Sequence, residues 1–260
     1  MIEMTVADGV AEVVLNAPER LNAVDERAIG ELDAALAEAE RLADTGDVRA
    51  LVLRGEGRAF CAGRDISEVD PRDDDVQGYL GGTVEPVLHR LARLQVPTFA
   101  VAHGACLGVG LGLLIACDIV YVADSAKIGS PFRNLGATLD SGGHALFFER
   151  LGAHRTMDLI VTGRLMTGDE AVAAGLFSRA FPADEVTDAT RAAAHAAAAG
   201  PTLAFVASKR LIASLRDDRL GLWASMSEET RAQAALCDTD DYRDGFAAFQ
   251  QKRTPTFTGR

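Results

Sequence analysis

Apolar and polar positions alternate from Ile2 to Val6 and again from Val10 to Leu15, with Asp8-Gly9 between them, which predicts a β-hairpin. The period then lengthens. Between Val24 and Ala43 the apolar residues Ile29, Leu32, Leu36, Ala39 and Ala43 recur at helical spacing, with Asp25 or Glu26 in the first turn. Ala50–Leu53 is a short buried strand, Tyr79–Leu94 a helix, and Pro97 opens the strand Thr98–Ala102. A glycine-bearing apolar run follows and leads to another strand, Ile119–Val122. Strand–helix–strand alternation of this kind predicts an α/β protein with a buried sheet. Further on, the pattern predicts helices over His144–Leu151 and Thr156–Val161, the latter stopping at Gly163. Thr167-Gly168-Asp169-Glu170 reads as a capping box for a short helix that ends at Gly175, and Leu176–Phe181 as a last strand. Four helices complete the chain, over Ala183–Ala199, Pro201–Ser214, Leu220–Leu236 and Asp240–Lys252. The division is thus a sheet-bearing body over 1–182 and a helical region over 183–260.

The run Val101–Asp118 holds Gly104, Gly108, Gly110 and Gly112 and no charged residue before Asp118. Each interior glycine costs about 0.5–1 kcal/mol against alanine, so four in close succession need a reason. A membrane span, a tightly packed buried helix and a close backbone approach to a ligand are the three readings. His103, Asp118 and the strand-like flanks argue against the span.

The net charge of -12 over 260 residues speaks against nucleic acid or an anionic membrane as partner, but not against an anionic small molecule held by a few local cations. Cys61, Cys106, Cys117 and Cys237 have no CxxC spacing, and three lie in apolar contexts. They read as free thiols in a reducing compartment, and with no secretory signal at the N-terminus the expected location is cytoplasmic. Asp73-Asp74-Asp75 reads as a solvated loop rather than a metal site, and no metal site is expected elsewhere.

Two glycine turns, Ala62-Gly63-Arg64-Asp65 and Leu107-Gly108-Val109-Gly110, each follow a strand and open into a helix or turn. Free N–H groups at such starts can hold an enolate or tetrahedral oxygen, although without a following acidic partner such glycines more often serve packing. At this point the chain resembles the enoyl-CoA hydratase/isomerase (crotonase) family. The likeness rests on Pro18-Glu19-Arg20-Leu21-Asn22-Ala23, Phe60-Cys61-Ala62-Gly63-Arg64-Asp65-Ile66, His103–Gly110, Ala116-Cys117-Asp118, Thr162-Gly163-Arg164, Ala171–Leu176 and Ala248–Arg253. The resemblance implies a crotonase-like spiral of ββα units with a C-terminal helical region used in trimerisation, giving a homotrimer or homohexamer. It implies an acyl-CoA thioester as substrate, with coenzyme A part of the substrate and no separate cofactor.

By the same resemblance the backbone N–H groups of Arg64 and Val109 form an oxyanion hole for the thioester carbonyl. Arg20, Ala62, Asp65, Ile66, Phe249 and Lys252 fall at CoA-binding positions, and Phe132, Leu135 and Leu139 line the acyl pocket. The two glutamates of the hydratases align with Gly112 and Phe132, neither of which can transfer a proton, so hydration of a 2-enoyl-CoA is not expected. Asp140, in Leu139-Asp140-Ser141-Gly142-Gly143, occupies a third family position, in a context that looks like the 1,2-epoxyphenylacetyl-CoA isomerases of phenylacetate catabolism and the Δ3,Δ2-enoyl-CoA isomerases. The expected activity is therefore isomerisation with Asp140 as acid/base. Hydrolysis or dehalogenation through Asp140 as nucleophile, and acyl-CoA binding without catalysis, are the alternatives. Read locally, Asp140 or Ser141 could simply cap the following helix, His103 and His144 leave a Ser/His/Asp arrangement formally open, and Asp65 caps its own turn. Whether burial raises or the helix start lowers the Asp140 pKa is left open.

Overall fold

The computed structural model describes residues 1–260. Strands β1 (Ile2–Ala7) and β2 (Val10–Leu15) form the expected antiparallel hairpin, with Asp8 and Gly9 both at positive φ in the turn. Helix α1 (Glu26–Thr45) follows, capped by Asp25, whose carboxylate accepts the Ala28 N–H at 2.7 Å. Its buried stripe of Ala28, Ile29, Leu32, Leu36 and Ala39 is the one the period predicts.

From here the chain winds as ββα units between two layers. In the first layer, β3 (Ala50–Gly55), β4 (Thr98–Ala102) and β6 (Ile119–Ala123) join β2 in parallel, and β8 (Arg179–Phe181) closes the edge. In the second layer Cys61 pairs with Cys106 of β5 (Ala105–Leu107), and β5 pairs in parallel with β7 (Lys127–Gly129). After each second-layer segment the chain turns into helical structure. A π-helical turn over Gly78–Val84 runs into α2 (Glu85–Arg93), then come α3 (Val109–Ala116) and α4 (Gly143–Thr162). α4 is broken at Gly152, which has non-helical φ and ψ, so the two helices expected on either side of it abut. The capping box at Thr167 is formed in full at the head of α5 (Gly168–Ala173).

The apolar glycine run is thus shared among β4, β5, α3 and β6, and no helix is long and apolar enough to cross a membrane. α3 is apolar all round because it is buried all round, from Val109 through Leu114.

Four helices end the chain: α6 (Val186–Ala198), α7 (Thr202–Asp217), α8 (Leu222–Leu236) and α9 (Asp240–Gln251). α6 lies on the sheet, burying Val186, Thr190, Ala194 and Ala198 at four-residue spacing. Glu12 of β2 fastens it, held by Arg191 of α6 and Arg54 of β3 at 2.7 Å each. Chiefly the Arg191 hydrogen bond lowers the Glu12 pKa to about 2. Asp118 does the same for α7, accepting from Thr98 N–H and Oγ at 2.8 Å and pairing with Lys209 at 2.9 Å.

Candidate functional site

The parallel pairing of Cys61 with Cys106 sets the geometry. Cys61 N–H donates to Ala105 and Leu107 N–H donates to Cys61, both at 3.0 Å, so the two segments run level with each other. Three residues beyond that pair stand Arg64 and Val109. Each follows a glycine at positive φ, Gly63 at +99° and Gly108 at +53°. With a ψ of −121°, Gly108 occupies backbone space that L side chains rarely enter. A Cβ on Gly63 would stand 3.0 Å from the Leu107 carbonyl oxygen, and one on Gly108 would meet the Phe132 ring at 3.1 Å. Only bare backbones approach this closely.

Neighbouring amides are used up: Asp65 N–H donates to Val24 and Gly108 N–H to Ser130 Oγ at 3.1 Å. The Arg64 and Val109 amides meet no acceptor in the chain. Val109 is also the first residue of α3, at the positive end of its dipole. Two free donors therefore sit at the carboxyl ends of adjacent parallel strands, where α/β folds commonly bind ligands.

Asp140 lies in the turn before α4, next to Ser141, which packs against Gly112 of α3. Burial raises the Asp140 pKa above the ordinary carboxylate value. Neither Asp140 Oδ1 nor Ser141 Oγ finds a hydrogen-bond partner in the chain. The simple capping role is overturned: the residue before α4 is Gly142, left-handed and without a side-chain cap, and Ser141 is left-handed as well. Gly112 admits this turn. A Cβ there would stand 2.5 Å from Ser141 Cβ and 2.9 Å from Ser141 O, so the volume beside α3 at this position is filled by the Asp140–Ser141 turn.

Of the three apolar wall residues, Leu139 is buried and Phe132 packs over Gly108. Leu135, by contrast, lies 60 % exposed on the 3-10 turn after β7. Arg20 pairs with Asp65 at 3.2 Å beside the first loop, and Asp65 also caps its own turn through Ser67 N–H and Oγ. Ala62 donates to Leu21, and Ile66 is exposed next to them. Phe249, on α9, lines a separate groove with Leu203, Leu236, Phe246 and Phe257, and Lys252 caps that helix in the left-handed conformation. Within one chain these two residues do not join the Asp140 pocket.

Neither histidine completes a triad. His103 Nε2 lies 3.1 Å from the Gly57 carbonyl and burial lowers its pKa, while exposed His144 leaves Ser141 unbonded. The cysteines are all free. Burial pushes the Cys61 thiol up to about 12, and Cys106 and Cys117 also rise, which disarms all three as nucleophiles; Cys237 is exposed.

Three contributors were not found in the sequence. Ser130 fixes the Gly108 amide; its place after β7 was the only signal. Asp74, within the acidic loop, grips the Arg64 guanidinium with two bonds of 2.7 and 2.8 Å. Tyr79, buried on the π-helical turn, lies with its ring 4.1 Å beneath that guanidinium. The Arg64 side chain therefore ties down the acidic loop while its amide stays free.

Comparison with known proteins agrees with this arrangement of strands and loops. The enoyl-CoA hydratase/isomerase family model matches residues 5–260. A Rhodobacter capsulatus protein named "Probable enoyl-CoA hydratase" is 33 % identical over 100 % of this chain and 98 % of its own. The 1,2-epoxyphenylacetyl-CoA isomerase of Escherichia coli is 33 % identical, covering 98 % of this chain and 97 % of its own. A Mycobacterium abscessus crystal structure assigned to the enoyl-CoA hydratases/isomerases superposes with a TM-score of 0.91 at 32 % identity, over 100 % of both chains. With its ββα spiral, its two glycine-backed amides and this full-length likeness, the chain belongs to the enoyl-CoA hydratase/isomerase family, which acts on CoA thioesters.

Proposed function

We propose that the protein is an acyl-CoA isomerase that moves a double bond, or rearranges a ring epoxide, through a thioester enolate. The observation that carries this is Asp140: one buried, unpartnered carboxylate oxygen in a pocket whose other hydratase-like positions are Gly112, overlaid by Ser141, and the ring of Phe132. Hydration needs one group to activate water and another to protonate carbon. Isomerisation needs a single base that takes a proton and returns it nearby.

In this reading the thioester oxygen accepts from the Arg64 and Val109 amides. The Asp140 carboxylate removes a proton from C2 of a 3-enoyl-CoA, and the resulting dienolate carries its charge on that oxygen. The protonated Asp140 then gives its proton to C4, which places the double bond between C2 and C3. Arg20, Ala62, Asp65 and Ile66 would border the CoA moiety. Phe249 and Lys252 would reach CoA from a neighbouring copy in a homotrimer or homohexamer, an assembly that would also cover apolar side chains exposed on α7–α9 such as Phe205, Trp223 and Phe246.

The test offers 3-enoyl-CoA and 2-enoyl-CoA in D₂O. Double-bond migration is expected, with deuterium at C4 only to the extent that the proton on Asp140 exchanges with solvent before it is returned; efficient 3-hydroxyacyl-CoA formation would overturn the reading. Gly108→Ala checks the oxyanion site separately. Its Cβ forces the backbone out of the left-handed region and against Phe132, so kcat should fall about 10²-fold while the protein stays folded by circular dichroism.

A further inference from the structure

The mechanism leaves the buried Tyr79 hydroxyl unused. Tyr79 is 2 % exposed, yet its hydroxyl has no hydrogen-bond partner in the chain. Buried hydroxyls without partners are rare because the lost water contacts are not replaced. This one is not a loose side chain. Its main-chain N–H donates to Asp75 O at 2.9 Å, and the Asp75 carboxylate accepts the preceding Gly78 N–H at 2.9 Å. The Arg64 guanidinium covers the ring, itself held by Asp74. The segment is a π-helical turn, an irregularity that recurs at functional sites because it re-aims side chains.

The surroundings of the ring identify the space the hydroxyl serves. The guanidinium of Arg64, whose amide is one of the two free donors, lies on one side of the ring. That stack places Tyr79 beside the loop that carries the Arg64 donor. It is not bonded to Asp140, since Asp140 Oδ1 and Tyr79 Oη both lack partners, so steadying that carboxylate does not explain it. Filling the wall does not explain it either, because phenylalanine would stack under Arg64 equally well. Burial holds the hydroxyl well above its usual pKa, which keeps its proton and makes it a donor.

We infer that Tyr79 is a specificity-determining residue whose hydroxyl donates to an oxygen on the acyl chain, so that the protein takes oxygen-bearing acyl-CoA thioesters (hydroxy-, oxo- or epoxyacyl) in preference to plain hydrocarbon chains. The inference rests on the acyl-CoA pocket proposed above, but it is read by binding rather than turnover. A pocket that hydrogen-bonds a substrate oxygen rejects the analogue lacking it, because its own polar group is then left unpaired.

Hexanoyl-CoA and its 3-, 4- and 5-hydroxy and oxo derivatives are titrated calorimetrically into the wild type and Tyr79→Phe. At least one oxygenated ligand should bind the wild type about tenfold or more tighter than hexanoyl-CoA. In Tyr79→Phe that margin should shrink to within about twofold, with hexanoyl-CoA affinity unchanged as the control for an intact pocket. A margin that survives in Tyr79→Phe, or no margin in the wild type, overturns the inference. Loss of hexanoyl-CoA binding along with it assigns Tyr79 to pocket shape and also overturns it. Failure of every acyl-CoA to bind the wild type removes the pocket reading itself, whereas absent isomerisation in D₂O leaves these margins fully readable.

Discussion

Asp140→Asn should abolish double-bond migration while leaving a folded protein that still binds acyl-CoA. Loss of a positioned general base costs about 10²–10⁴-fold in rate, and the amide cannot take the proton at all. The fall belongs in kcat, since the Arg64 and Val109 amides that receive the thioester are untouched. In the wild type, burial sets the Asp140 pKa above the usual carboxylate range. Activity should therefore vanish as pH falls through a midpoint higher than that of a solvated aspartate, and Asp140→Asn should lack this acid limb. Stability moves the other way. A raised carboxyl pKa means that the folded chain binds the proton more tightly than the unfolded chain, so stability drops as pH rises from the ordinary value through the raised one. At neutral pH the ionised, unpartnered carboxylate is a standing cost, and Asp140→Asn should unfold in urea at the same or a higher midpoint. A variant that is inactive because it is unfolded would show the opposite.

That combination, a costly group kept in a buried pocket, is what the sequence could suggest but not decide. Leu139-Asp140-Ser141-Gly142-Gly143 supports a helix cap as readily as a base, because both need a short polar side chain before a helix. The two roles separate only when the turn is seen to put Ser141 and Gly142 in the left-handed region, leaving the cap position to a glycine. Elements were more legible than their ends. The Asp8-Gly9 hairpin and the Thr167 box are local chemistry, complete within a few residues, and they form as read; Asp25, read as a first-turn acid, proves to be the cap of α1. β8 is three residues long rather than six because β6 pairs with it only over Tyr121–Ala123; Ser178 meets Val120 outside the regular ladder.

The helix expected over Tyr79–Leu94 starts as a π-turn. Seven residues containing Gly81 and Gly82 carry too few side chains to distinguish a fifth-residue hydrogen bond from a fourth. The acidic loop read as solvated because its partner, Arg64, is ten residues away in a different turn. Pairing of that kind is written in the register of Cys61 with Cys106 and in the path of the loop, not in hydropathy.

Gly112→Glu carries the other large expected effect, and here sequence and structure point in opposite directions. Aligned on motifs alone, the substitution restores one of the two hydratase acids and invites a gain of hydration. In the folded chain its Cβ would lie 2.5 Å from Ser141 Cβ and 2.9 Å from Ser141 O, with Leu88 at 3.3 Å on the other side. The Ser141 contact is partly backbone, and two successive left-handed residues fix the turn, so relief requires moving Asp140 itself. A shift of about 1 Å in a reacting group can cost 10²-fold in rate. Overpacking a filled interior adds roughly 1–3 kcal/mol of destabilisation. Isomerisation should accordingly fall about 10²-fold or more with no 3-hydroxyacyl-CoA formed, and the urea midpoint should drop. Gly112→Ala isolates the Cβ from the charge. In an open helix that change stabilises by up to about 1 kcal/mol, so a loss of stability here would have the sign of the clash and not of helix propensity. Should Gly112→Glu instead keep its stability and hydrate 2-enoyl-CoA, the Asp140–Ser141 turn is pliant, and the single-base chemistry assigned to this chain reflects only which acids it carries.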